Sequence, residues 1–480
     1  MRKTKIIVTI GPASRDVETL DQLLGAGMDC ARLNFSHGTL EEHGEVIQRL
    51  RELSDKRGRL VAILQDLGGV KLRLGQLEDT FRLNVGEEVW LVPEARSSRH
   101  DVLPFLQPEV LKNLAPGNLV YISDGIVCLE VTETQPSGVK TRVRNPGMVS
   151  SFKGVNLPGV QIDLPVLTEA DKVAMKFGVE QNVDWVAVSF VRTAEDVRVA
   201  KSYLRSIGSN ALVMAKLEKR EGVQNIDSIL EEVNSVMVAR GDLGVEMPME
   251  TVPLIQKDIV RKANEAAKIS VIATQMLRSM IESPTPTRAE ISDIANAVWD
   301  GCDAIMLSDE TTVGKYPVDA VKYADAAIRE AEKVYPFYKD FSSRDRTQAI
   351  AGAASDLVRA LKAKPIVLTS TGRAALEVSR FRPSADIIVF SHDEAVLKKM
   401  CLGWGLVPTG VIPPERDVPK LVAMVVKAAL ATGLVTETDV VTIVHGFLSG
   451  VSGTTNTIQV LDMQEYLPYA SPVLEASALR

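Results

Sequence analysis

The chain has 480 residues, 45% of them hydrophobic, which is more than one core usually organises, so about three soluble domains are expected. Lys and Arg number 55 against 62 Asp and Glu, and a net charge of −7 argues against nucleic acid or an anionic membrane as the main partner. No apolar run approaches the ~18 residues that span a bilayer, and MRKTKIIVTIGPAS carries neither the apolar stretch nor the cleavage site of a secretory signal. A cytoplasmic protein is expected.

Short apolar runs rich in Val and Ile recur along the chain. In order they are KIIVTIG, DCARLNF, LVAILQD, WVAVSF, LVMAKLE, SVMVAR, SVIATQ and DAIMLS, the pattern of parallel strands covered on both faces. Between them, TLEEHGEVIQRLRELSDKRG, TAEDVRVAKSYLRSIG and METVPLIQKDIVRKANEAAK have the spacing of amphipathic helices. This alternation predicts an α/β fold, a (β/α)8 TIM-type barrel whose reactive residues sit at the C-terminal ends of the strands.

The long interval between the third and fourth runs breaks the rhythm. There, TFRLNVGEEVWLVPEA and NLVYISDGIVCLEVTETQPSGVKTRVRN alternate polar and apolar residues, with Asp124-Gly125 and Pro136-Ser137-Gly138 as turns. An inserted all-β domain is expected, placed as a lid over the catalytic face. After YPFYKDFSSRDRTQ a second α/β pattern follows, with a helix in AIAGAASDLVRALKA and strands KPIVLTS, ADIIVFS, DVVTIVHG and NTIQVLDM, reading as an open-sheet domain. The expected division is 1–70 and 163–336 for the barrel, 71–162 for the insertion and 337–480 for the C-terminal domain.

Chemistry concentrates at the strand ends. Lys216 and Glu218 lie two apart in AKLE and so address one face of a strand, and Asp242 follows in VARGDLGVE. One cation with two carboxylates suits a magnesium ion completed by water and substrate phosphate. An isolated Lys-x-Glu is more often a surface ion pair, so the surroundings matter. Arg32, Asn34 and Ser36 share a face at the end of the second run, Asp66, Lys71 and Arg73 follow the third, and Thr274 ends the seventh. Arg suits bidentate phosphate binding. Cys30, Cys128, Cys302 and Cys401 have no paired spacing and are expected to be reduced, buried thiols. His43, His100, His392 and His445 form no metal spacing and are expected to be surface or capping residues, Trp404 to pack, and Met276 and Met280 to belong to the core.

Taken together, IIVTIGPAS, ARLNFSHG, KGVNLPG, AVSF, AKLE, VARGDLGVE, ATQM, PTPTRAEISDIANAV and MLSDET resemble, in order and over essentially the whole chain, the blocks of pyruvate kinases. The resemblance implies phosphoryl transfer from phosphoenolpyruvate to ADP, giving pyruvate and ATP. It assigns Mg2+ or Mn2+ to Glu218 and Asp242, and to Lys216 the stabilisation of the transferring phosphoryl group and the enolate. Gly241, Asp242, Ser189 and Thr274 correspond to substrate-binding positions. A Thr hydroxyl is too weak an acid to protonate the enol alone, so a water relay at Thr274 is expected. Arg32 and Arg73 would clamp phosphates, and Asn34, His37, Arg73 and Lys153 would meet the nucleotide. A barrel lyase or aldolase using the same metal carboxylates would not need those nucleotide-facing residues.

The resemblance also implies a monovalent-cation region at Asn34, Ser36, Asp66 and the Leu67 carbonyl. Potassium-dependent members carry Glu in a GPEIR-like block where this chain has Lys71 in GGVKLR. A tethered ammonium can replace potassium, so K+ is expected not to be required. Val70 replaces the usual Pro, and Asp309 stands where Gly or Ala is usual. A second phosphate site is expected where KPIVLTS runs into a helix, at Thr369, Ser370, Thr371, Gly372 and Arg373, closed by Gly453, Thr454 and Thr455. Matching segments in the family bind a phosphorylated allosteric effector. Ser370 replaces a Lys of some sugar-bisphosphate-responsive members, so a sugar monophosphate or AMP fits as well. A homotetramer is implied.

Overall fold

The computed structural model describes all residues except 124, 161, 163, 447–454 and 477–480, and the side chains of 470–476 are not described. Each of the eight expected runs forms a strand: Lys5–Thr9, Cys30–Asn34, Ala62–Asp66, Trp185–Val188, Leu212–Leu217, Ser235–Ala239, Ile269–Ala273 and Ala304–Leu307. They pair in parallel and close into a barrel, the eighth strand joining the first from Lys5↔Ala304 to Val8↔Leu307. Strand alternation sorts the side chains. Ile7, Cys30, Leu64, Trp185, Met214 and Met237 fill the lumen, whereas Ile6, Val8, Ala31, Ile63, Val186 and Val213 face the surrounding helices. Arg32, Asp66, Ser189 and Lys216 carry the lumen parity past this apolar layer to its C-terminal mouth.

The helices begin where the sequence offers caps. Thr39 with Glu42 and Thr193 with Asp196 form capping boxes that satisfy the first free N–H groups of Leu40–Arg57 and Ala194–Ser206. Gly58, at φ 58°, ends the first of these in the left-handed region. No described helix is long and apolar enough to cross a membrane.

The insertion is strand-rich, as expected. Its main sheet has six strands, and Val127–Gln135 pairs antiparallel with both Leu119–Ile122 and Gly138–Asn145. Asp124 of the first expected turn lies outside the described residues; the second turn joins Gln135 to Gly138. Short strands at Val102–Pro104 and Val155–Asn156 escape a pattern reading because three or two residues show no period.

The C-terminal domain is a five-stranded sheet in the order Leu406–Val411, Ile387–Ser391, Lys364–Thr369, Val440–Gly446 and Thr455–Asp462, parallel except for its last strand. Leu406–Val411 was not expected as a strand. Pro408 and Gly410 disguise it, and the sheet tolerates them because this strand lies at an edge. The domain plugs the N-terminal end of the barrel: Cys401 and Leu402 pack among the lumen residues, and the Trp185 indole donates to the Lys399 carbonyl at 3.2 Å. At the same junction Arg382, 1% exposed, binds Asp303 at 3.0 Å, donates to the Gly301 carbonyl at 2.9 Å and stacks on Trp404. Trp404 therefore packs, as expected, and Met276 and Met280 are core residues. The four cysteines are free and buried, and burial pushes the Cys401 thiol up to about 12. His445 departs from expectation. It is 2% exposed inside the C-terminal sheet, where strand alternation turns it inward.

Candidate active site

At the C-terminal mouth of the barrel the lumen changes from apolar to charged. Lys216, near the end of the fifth strand, places its ammonium 2.9 Å from Glu218, 2.8 Å from the Ser189 hydroxyl and 3.3 Å from Asp66. Burial opposes its charge, but the Asp66 and Glu218 carboxylates outweigh that cost and hold the amine well above its ordinary value. Asp66 is fully buried, a cost overcome by Lys216 and Arg32, and its pKa is lowered. Arg32 donates to Asp66 through Nε at 2.7 Å and to the Thr9 hydroxyl through Nη1 at 3.1 Å. It is thus at once a structural ion-pair residue and part of the cavity wall.

Glu218 is 2% exposed and accepts the Phe190 N–H at 2.7 Å. Burial raises its pKa; Lys216 counters the rise and the Asp242 carboxylate adds to it. Asp242 opens the helix Arg240–Glu246 after the sixth strand and faces the cavity, with no hydrogen bond or ion pair among the described residues. Two carboxylates converging at unfavourable mutual charge, one of them unpartnered, are the donor set a hard divalent cation takes when water and substrate supply its other ligands.

Thr274 and Gln275 follow the seventh strand with φ of 71° and 57°, left-handed conformations that need outside support. Arg240 provides it by donating to the Thr274 carbonyl at 2.7 Å while pairing with Asp293 at 2.8 Å. Glu310 braces the next turn, accepting the Leu277 and Ser308 N–H groups. The Thr274 hydroxyl accepts the Gly241 N–H at 2.8 Å and donates to the Ala273 carbonyl at 2.6 Å. The Gly241 N–H is thus held by Thr274. Arg240 was missed in the sequence, although its place directly before Gly241-Asp242 was a usable signal.

These groups surround a cavity of 1260 Å3, roofed by Leu119, Tyr121 and Ile126 of the insertion and lined below by Arg32, Asn34, Asp242 and Thr274. Residues 1–321 match the family model "Pyruvate kinase, barrel domain", and residues 348–461 match "Pyruvate kinase, alpha/beta domain". The chain belongs to the pyruvate kinase family. Pyruvate kinases of Geobacillus stearothermophilus and Bacillus licheniformis are each 40% identical to it, over 99% and 96% of this chain and 83% and 80% of theirs. A human pyruvate kinase is 42% identical over 96% of this chain and 85% of its own. The family makes this chain a phosphotransferase.

Not every residue matched to a pyruvate kinase role is gathered at the mouth. Asn34 lines the cavity, and its side chain accepts the Ser36 N–H at 3.2 Å. Ser189 donates to the Leu67 carbonyl at 2.8 Å. Arg73 is turned into the insertion, donating to the Phe152 carbonyl at 3.0 Å, so it does not converge with Arg32. His37 and Lys153 are exposed and outside the cavity wall. Lys71 borders both this cavity and a smaller one shared with Val70, Ser189 and Asp242, and forms no ion pair among the described residues. Its stem crosses so close to Gly154 that a Cβ there would sit 2.9 Å from Cε. Asp309 lies exposed on the rim of the larger cavity, and nothing in the structure explains its choice.

In the C-terminal domain, Gly372 has φ 87° and caps the helix Arg373–Arg380, its N–H donating to the Thr369 hydroxyl at 3.0 Å. A Cβ there would meet the end of the Met400 side chain, which would have to shift, so it is chiefly the left-handed backbone that favours glycine. Ser370 is half-buried and Thr371 exposed beside it. Arg373 is engaged by Asp345 rather than free. Thr455 begins the last strand; Gly453 and Thr454 lie outside the described residues.

Proposed function

We propose that the chain transfers the phosphoryl group of phosphoenolpyruvate to ADP, giving pyruvate and ATP, at the mouth built around Lys216. The observation that carries this reading is a single buried ammonium within 2.9 Å of Glu218, backed by Asp66 and beside a cavity bearing the unpartnered Asp242. Glu218 and Asp242 would hold Mg2+ or Mn2+, which when bound supplies Lewis-acid charge to phosphoryl and enolate oxygens. Lys216 neutralises charge on the oxyanion between donor and acceptor, and because Asp66 and Glu218 already fix its position, little reorganisation accompanies the reaction. Arg32 places a second cation at the same rim. Thr274, held between Gly241 and Ala273, would orient a relay water toward the enol carbon. The insertion, as a lid, excludes bulk water that would otherwise compete for the phosphoryl group.

The same reading assigns Lys71 the charge of a monovalent cation, with Asn34, Ser36, Asp66 and Leu67 around it, and makes the Thr369–Arg373 turn the seat of a phosphorylated effector in a homotetramer whose domains are 1–70 with 163–336, 71–162 and 337–480. Pyruvate formation should require both phosphoenolpyruvate and ADP and proceed without added potassium, and a sugar phosphate or AMP should lower the half-saturating phosphoenolpyruvate concentration. Lys71→Glu should acquire a potassium requirement. Initial rates with each component omitted check all of this. Pyruvate release without ADP contradicts the reaction, a strong potassium requirement in the wild type removes the role of Lys71, and sedimentation as a 52.2-kDa species removes the tetramer.

A further inference from the structure

Away from its hinge, a buried carboxylate ties the insertion to the barrel. Glu246, the last residue of the helix that opens at Arg240, is 3% exposed. Its Oε1 accepts from the Asn156 side-chain amide at 3.4 Å and, on the same atom, pairs with the Lys219 ammonium. Asn156 belongs to the insertion, on the short strand that pairs with Tyr121, and is 8% exposed. Lys219 directly follows Glu218, and Glu246 stands four residues after Asp242, on the same helical face. One carboxylate therefore bridges the lid to both elements that carry the candidate metal ligands.

The bridge stands between two spaces. Glu246 lines the 1260 Å3 cavity, whereas Asn156 and Lys219 line a 50 Å3 cavity on the other side. On the hinge side, Arg192 donates to the carbonyls of Ile162 at 2.5 Å and Leu164 at 3.0 Å, pinning the returning chain to the barrel. The larger cavity is open to solvent beside its roof, and the chain is held at the hinge. When the roof moves away from the barrel, the contact at Asn156 parts. Glu246 then keeps Lys219, so no unpaired charge is left buried, and what is given up is the 3.4 Å hydrogen bond and the packing near Gly125 and Val245.

We propose that Asn156, Glu246 and Lys219 form the latch that sets the closed lid in register with Glu218 and Asp242, and that Glu246 is a positioning residue for the nucleotide phosphates. The nucleotide rests on the phosphoryl-transfer reading above; the latch itself does not. The test exchanges donor and acceptor across the domain boundary. Nitroxide labels at Ser137→Cys on the lid and Thr285→Cys on the barrel report lid position by pulsed electron paramagnetic resonance, since the native cysteines are buried. Asn156→Asp sets two carboxylates face to face and should lengthen and broaden the label distances and raise KM for ADP about tenfold, the worth of one hydrogen bond to a charged group. Adding Glu246→Gln restores an amide–carboxylate pair with the roles reversed and should return both readouts toward wild type. Asn156→Ala should widen the distances in a protein that melts as wild type does. Wild-type distances in folded Asn156→Asp or Asn156→Ala, or a double variant no closer to wild type than Asn156→Asp, overturn the latch. A wild-type protein that ignores ADP overturns the reaction instead, and the distances still decide the latch.

Discussion

Replacing Lys216 with Met should lower turnover by about a hundredfold or more, equivalent to about 2.7 kcal/mol of lost transition-state stabilisation. The side chains are of similar length, so the change removes charge more than volume. The ammonium serves three acceptors at once, Asp66, Glu218 and Ser189, and its loss leaves two buried carboxylates without their shared cation. A stability loss of about 3 kcal/mol is therefore also expected, and turnover has to be measured well below the melting transition. The two effects separate by metal titration. The half-saturating Mn2+ concentration should not rise while kcat falls, because both residues that would ligate the metal remain and Glu218 loses the ammonium that competes for it. Unchanged kcat in a folded Lys216→Met protein refutes the assigned role.

Changing Glu218 to Ala should act through the metal instead. Loss of a residue that merely orients a ligand costs about 10- to 100-fold in metal affinity, and loss of a direct ligand should cost at least that. The activity of Glu218→Ala is expected to need correspondingly more Mn2+ and to recover partly at high concentration. Glu218 also accepts the Phe190 N–H, and Phe190 has a left-handed φ of 56°, so Glu218→Gln is the more informative companion. It can keep that hydrogen bond while lowering metal affinity. Equal metal dependence in the wild type and both variants would remove Glu218 from the metal site.

The barrel could be read from the chain because its eight strands are buried on both faces and so appear as mostly apolar runs, with polar residues gathering toward the functional rim. Lys216, Glu218 and Asp66 were found for that reason. Strand Leu406–Val411 was hidden because an edge accepts Pro408 and Gly410, and an edge leaves no continuous apolar signature. Contacts that depend on two distant segments meeting were also hidden. Neither the clamp of Arg240 on Thr274 nor the bridge from Asn156 to Glu246 has a spacing to detect, since 34 and 90 residues separate their partners. Lys219 carries no signal in the sequence either, because its partner comes from the helix that ends at Glu246, 27 residues on. Arg73 is a different case: its residue type suits a phosphate, and in the structure its guanidinium donates to the Phe152 carbonyl of the insertion.

The proposed reaction requires two carboxylates to hold a divalent ion beside one ammonium so that all three act on the same oxyanion. The most direct measurement is anomalous diffraction from crystals grown with Mn2+ and oxalate, a planar mimic of the enolate. The manganese peak should lie between Glu218 and Asp242, with an oxalate oxygen within hydrogen-bonding distance of the Lys216 ammonium. A manganese ion bound elsewhere, or an oxalate out of reach of Lys216, would contradict it.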